Sequence, residues 1–130
     1  MKTNDLVAVY GSLRRGLSNH RILGDSEFIG EGMIDSGFRM VSLGGFPALH
    51  KSEESTPIKV EIYRPSCPEV YRSLDILEGY PSFYNREQVQ INGKLTWVYF
   101  IENSSRLEGR TYVDSGDWVG FRQQQHRGIL

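Results

Sequence analysis

Cysteine is almost missing from this 130-residue chain: Cys67 stands alone. One thiol forms no internal disulfide, so nothing ties the sequence to an oxidising compartment. Histidine is nearly as scarce. His20, His50 and His126 lie far apart, and none has a His or Cys neighbour at metal-ligand spacing, so a zinc site has no support. An excess of one charge is also lacking. The 15 Lys and Arg residues almost cancel the 16 Asp and Glu. The basic face that a phosphate-contacting nucleic-acid binder needs is therefore not expected. No apolar stretch approaches the roughly 20 residues of a membrane helix. The run Leu6 to Val9, preceded by Lys2 and Asp5, is too short for a signal peptide. These gaps lead to the expectation of a cytoplasmic protein without metal, membrane or nucleic-acid partner.

What the chain does hold is enough for a core. Hydrophobic residues make up 38% and aromatics 12%, the composition of a packed globular fold. The length fits one domain, large enough to bury roughly two-thirds of the unfolded chain's surface. The expected domain covers residues 1–120. Residues 121–130, with Gln123, Gln124 and Gln125 in a row, are expected as a loosely ordered polar tail.

Strand signals dominate. Leu6-Val7-Ala8-Val9-Tyr10 is a short apolar run halted by Gly11, which predicts a buried strand. Between Phe28 and Leu43, Gly30, Gly32 and Gly37 predict bends or bulges in a curved sheet. Ile58, Val60 and Ile62 alternate with Lys59, Glu61 and Tyr63, as in a half-buried strand. Asn92-Gly93 separates two further strand-like runs and predicts a tight hairpin. One helix stands out after Pro68, with Ser66 and Glu69 at capping-box spacing, Val70, Leu74 and Leu77 at helical spacing, and Gly79 as a stop. A weaker helix is expected over Asn19 to Leu23. The fold class is α+β: a small mixed β-barrel with one main helix and short flanking helices.

Two loops carry chemistry. Tyr10-Gly11-Ser12-Leu13 follows a buried strand. Its glycine lets a ligand approach the main chain, and successive N–H groups after such a turn can hold an anion. An ordinary turn has the same composition. The second segment runs from Leu74 to Arg86. Glu78 stands at the last turn of the helix, facing the negative end of its dipole, among Tyr80, Phe83 and Tyr84. Both the dipole and burial raise a carboxyl pKa toward the range useful for acid/base work. A plain surface glutamate is the bland alternative. Asp75 could pair with Glu78 in chemistry, or serve as a structural partner of Arg86. A nucleophilic pair of Cys67 with a histidine also stays open, although a lone cysteine is more often packing. Arg14, Arg15 and Arg21 read as a solvated loop that could favour acidic groups on a ligand.

Together these segments resemble a known family. Tyr10-Gly11-Ser12-Leu13 with Arg14, Gly16, Asn19 and Leu23 is similar to the N-terminal signature of the gamma-glutamylcyclotransferase-like, or AIG2-like, proteins. Leu74-Asp75-x-x-Glu78-Gly79-Tyr80-Pro81 with Tyr84 and Arg86 resembles that family's acidic catalytic segment, and Ser115-Gly116-Asp117-Trp118 a short motif near its end. The resemblance implies a small mixed barrel with a cavity at one side. It implies cofactor-independent release of 5-oxoproline from a small-molecule gamma-glutamyl substrate. Glu78 would be the acid/base, Tyr10, Gly11, Ser12 and Leu13 the binding loop, and Tyr84 a cavity wall, with Tyr99 and Tyr112 as weaker wall candidates. Ser12 would position substrate rather than attack it. No protein partner is expected. The alternative is a non-catalytic small-ligand-binding protein on the same fold.

Overall fold

A computed structural model describes residues 1–102 and 104–129; the side chains of residues 104 and 126–129, His126 among them, lie outside the described set. The backbone forms β1 (Leu6–Val9), β2 (Glu27–Ile34), β3 (Phe38–Ser42), β4 (Pro47–Lys51), β5 (Ile58–Arg64), α1 (Pro68–Leu77), β6 (Asn85–Ile91), β7 (Lys94–Phe100), β8 (Thr111–Tyr112) and α2 (Trp118–Ile129). Short 3₁₀ turns cover His20–Leu23 and Ser104–Leu107.

Five strands make one sheet in the order β2-β5-β1-β7-β6, with only β1 and β7 parallel. A second sheet has the order β4-β3-β8. The α+β class is as expected, but the barrel is not closed. The larger sheet curls until its edge strands meet through a side chain, Asn92 Nδ2 donating to Glu31 O at 3.1 Å, and no backbone ladder joins β2 to β6 among the described residues. Gly32 permits this approach, since a Cβ there would stand 2.8 Å from Ile91. The smaller sheet attaches to the larger one where Ile101 N, just past β7, donates to Leu49 O of β4 at 2.8 Å.

Strand β1 lies at the centre and divides the core by its period of two. Leu6, Ala8 and Tyr10 join one buried cluster with Ile58, Val60, Ile62 and Trp118. Val7 and Val9 join the other, against Leu74, Tyr84 and Tyr99. Strand β5 is more deeply covered than its alternation suggests: Glu61 and Tyr63 are buried as well. It sits between β2 and β1, so its second face is also enclosed.

The local signals are satisfied unevenly. Asn92 (φ 53°) and Gly93 (φ 77°) turn the β6–β7 hairpin, with Ile91 opposite Lys94. β2 carries a register shift between Phe28 and Gly30. Helix α1 begins at Pro68 as expected, but its N-cap is Cys67 in extended conformation without a side-chain cap bond, so Ser66 closes no capping box. The weaker helix is a 3₁₀ turn. The polar stretch from Phe121 is helical through Ile129 rather than a loose tail. Its anchor lies just upstream, where Trp118 is buried and Asp117 Oδ1 accepts from Gly120 N at 3.3 Å.

Candidate functional site

Where β1 ends, the chain meets β4. A Cβ on Gly11 would lie 2.8 Å from both Cγ and Cδ of Pro47, so only glycine lets the loop pass under that ring. The requirement is thus a close approach, not a left-handed turn. Beyond Gly11 the loop curls on itself: Arg14 N donates to Gly11 O at 3.0 Å and Asn19 N to Ser12 O at 3.0 Å. Asn19 Nδ2 also donates to Ser12 Oγ at 2.9 Å, and His20 Nδ1 lies 2.8 Å from Leu13 O. Among the described residues none of the loop's hydrogen bonds uses the amide N–H of Gly11, Ser12 or Leu13.

Arg14 is not solvated. It is 5% exposed, with Nε 3.1 Å from Glu61 Oε2 and Nη1 2.8 Å from Asp117 Oδ1. Glu61 also accepts from Arg15 N and from Tyr63 OH, each at 2.9 Å. Burial alone would raise the Glu61 pKa, but these donors outweigh it and hold the carboxyl below its ordinary value. This cluster ties the loop to β5 and to the start of α2. Arg15 and Arg21 are exposed, the first over the Phe28 ring at 4.0 Å. None of the three arginines lines the cavity described next.

The opposite wall comes from the end of α1. Gly79 takes φ 63°; its N–H bonds Ile76 O at 3.1 Å and Tyr80 N bonds Asp75 O at 2.9 Å, a Schellman stop. Glu78 is the residue just before that stop. Its backbone is used, accepting from Tyr84 N at 3.2 Å. Its carboxylate has no hydrogen-bond or ion-pair partner among the described residues. Burial without compensation pushes its pKa from 4.5 to about 7.

The two walls enclose a cavity of about 440 Å³ lined by Tyr10, Gly11, Ser12, Leu13, Glu78 and Tyr84. All six site residues named from the sequence therefore stand around one space. Tyr99 lines it as well; Tyr112 does not, and packs instead under the Arg39 guanidinium at 3.5 Å. Leu77, expected in the helix core, is 38% exposed at the cavity mouth. Cys67 lies outside the lining, and no group of His, Cys, Asp and Glu that could hold a metal occurs among the described residues.

Three tyrosines frame the carboxylate, and each hydroxyl proton is committed elsewhere. Tyr10 donates to Tyr99 O at 2.8 Å, Tyr84 to Pro47 O at 2.7 Å and Tyr99 to Asp75 Oδ1 at 2.7 Å. Burial chiefly, with the nearby Glu78 charge adding to it, keeps all three hydroxyls protonated well past their usual range. Asp75 is the structural partner: Arg86 grips it through Nε at 2.9 Å and Nη2 at 3.2 Å. This leaves Glu78 as the sole ionisable group among the lining residues able to exchange a proton near pH 7.

Ser18, Asn19, Gly45, Phe46, Pro47, Leu77, Gly79 and Phe83 complete much of the lining without having been named as site residues. The pair Gly44-Gly45 marks a turn in sequence, yet nothing local says that Pro47 folds over Gly11 or that Phe46 lines the cavity.

Comparison with known proteins agrees with this arrangement. The family model described as "Gamma-glutamyl cyclotransferase, AIG2-like" matches residues 7–120. A Vibrio cholerae protein named "Putative gamma-glutamylcyclotransferase" is 34% identical over 113 residues, which cover 87% of this chain and 94% of that one. The rat gamma-glutamylaminecyclotransferase is 33% identical over 93 residues, covering 65% of this chain and 62% of the rat protein. A crystal structure of a Pyrococcus horikoshii protein superposes with a TM-score of 0.78 at 24% identity, over 95% of this chain and 97% of the other, and shares the fold. With matched residues running from inside β1 into α2 and taking in both walls of the cavity, the chain belongs to the gamma-glutamyl cyclotransferase, AIG2-like family.

Proposed function

We propose that this protein is a cyclotransferase that releases 5-oxoproline and a free amine from a gamma-glutamyl amine or amide, with Glu78 as general acid/base. One observation carries the reading: the unpaired Glu78 carboxyl, with a pKa of about 7, shares a cavity with the unused amides of Gly11, Ser12 and Leu13.

The chemistry needs a single proton shuttle. The Glu78 carboxylate takes a proton from the substrate's α-ammonium group. The freed amine attacks its own γ-carbonyl, closing the five-membered ring. Negative charge then builds on the carbonyl oxygen, where loop amides can meet it; such a donor is worth about 3 kcal/mol in other acyl chemistry. Glu78 returns the proton to the departing nitrogen, the C–N bond breaks, and the ring nitrogen gives up its second proton to the released amine. A carboxyl balanced near neutrality serves both steps. The nucleophile and electrophile belong to one molecule, so a wall that keeps the glutamyl arm folded supplies rate through orientation. Ser12, its Oγ already accepting from Asn19, is assigned to positioning. The rat relative's name states activity on a gamma-glutamylamine, in line with an amine leaving group.

The test is 5-oxoproline release measured by mass spectrometry across gamma-glutamyl compounds, beside Glu78→Gln. The variant should lose roughly 10²–10⁴-fold in kcat/KM, and wild-type activity should climb with pH as Glu78 ionises around 7. A folded Gln variant with full turnover would end the assignment. Heat of binding without product would mark a non-catalytic ligand-binding protein instead.

A further inference from the structure

The lining of the cavity changes character from base to mouth. Its base is made by buried residues, Tyr10, Gly11, Leu13, Tyr84 and Tyr99. Its mouth is made by exposed ones, among them Phe46 at 42% and Leu77 at 38%, with Phe83 half-buried beside them. The Phe46 and Phe83 rings meet at a tilt of 57°, 6.5 Å between centroids. Among the described residues no lysine, arginine or histidine lines the space, and Glu78 is the one charged residue there. The volume, about 440 Å³, falls in the range of roughly 300–1,000 Å³ typical of drug-sized ligands, so it has room beyond a folded glutamyl arm.

We infer that the mouth selects the leaving group: the preferred substrates are gamma-glutamyl amides of apolar or aromatic amines that carry no acidic group. This rests on the cyclotransferase reading and specifies its substrate class. Two effects act together. Phe46, Leu77 and Phe83 offer partly desolvated apolar surface to an alkyl or aryl group. An acidic leaving group would instead add a further negative charge to those of Glu78 and the substrate's own α-carboxylate, with no cation among the described lining residues to offset it. Two described guanidinium groups near this rim have partners. Arg106 stands over the Phe83 ring at 5.0 Å, and Arg122 donates to Gly44 O at 3.1 Å while covering Trp118 at 5.6 Å.

The experiment compares kcat/KM for 5-oxoproline release from gamma-glutamyl-phenethylamide, gamma-glutamyl-phenylalanine, gamma-glutamyl-glutamate and glutathione. The first and second differ by one carboxylate and isolate the charge effect. The phenethylamide is expected to exceed the glutamate compound by about tenfold or more, a discrimination within reach of a few apolar contacts. Phe46→Ser and Leu77→Ser, each on an exposed position, should both shrink that ratio, and Arg106→Gln should leave it in place. Equal or better turnover of the acidic compounds overturns the inference while the cyclotransferase reading stands. An unchanged ratio in both Ser variants overturns the assignment to the rim. A ratio set by Arg106 would show that a cation reads the leaving group, and overturns it too. If folded protein releases 5-oxoproline from no compound, the cyclotransferase reading falls first and takes this inference with it.

Discussion

Glu61 and Glu78 are both drawn away from bulk water, and they end on opposite sides of a glutamate's ordinary pKa. Glu61 receives Arg14, the Arg15 amide and the Tyr63 hydroxyl, and ionises below its ordinary range. Glu78 receives nothing among the described residues and rises to about 7. Burial is common to both; the supply of donors differs. The molecule thus uses one carboxylate to hold two segments together and leaves the other dissatisfied. A satisfied carboxylate is a poor proton carrier, since donors that stabilise its charge also resist protonation.

Three substitutions can break or sharpen that contrast. The largest effect is expected from Arg14→Ala. It takes the guanidinium from Asp117 and from Glu61, which keeps the Arg15 amide and the Tyr63 hydroxyl, and breaking a buried pair from one side costs about 3–5 kcal/mol. Urea denaturation should show the loss; an Arg14→Ala protein as stable as wild type would mean that the pair carries little. Next comes stability in Glu78→Gln. The folded-state pKa of Glu78 lies above its unfolded value, so the native state binds a proton more tightly. Wild-type stability from this group is present below pH 4.5 and is lost as pH rises through 7. The Gln variant should therefore gain on the order of 2 kcal/mol over wild type at pH 8, with no gain near pH 4. A constant difference at both pH values would show that Glu78 is not strained by its surroundings. The smallest effect is expected from Tyr99→Phe. Removing the bond to Asp75, which keeps Arg86, should cost about 1 kcal/mol in urea, and a change beyond 3 kcal/mol would reveal a larger role for the hydroxyl.

Much of the frame was legible because its causes are local. Asn92-Gly93 needs positive φ at both turn positions, so the β6–β7 hairpin is written in two residues. Pro68 and Gly79 likewise bracket α1. Glu78 could be placed at the end of that helix, though only folding decides that no donor reaches its carboxyl. Several of the failures involve distant partners. Arg14 reads as a loop cation because Glu61 and Asp117 lie 47 and 103 residues away. Helix α2 reads as a tail because its glutamines show no apolar stripe; buried Trp118 and Asp117 secure its start. The open sheet reads as a barrel because curvature is local but closure depends on whether β2 and β6 pair. Leu77 reads as a core residue of α1, and its spacing does not reveal that it lines the cavity beside Phe46.

The Pro47 ring above Gly11 has a practical consequence. The same residue lends its carbonyl to Tyr84 and is the next in sequence after Phe46. A methyl group added at position 11 would have to displace that ring, tugging the tyrosine at the floor and the phenylalanine at the entrance in one stroke. Anyone re-engineering this protein should treat position 47 as a hinge pin and vary the gate from Leu77, whose side chain is exposed.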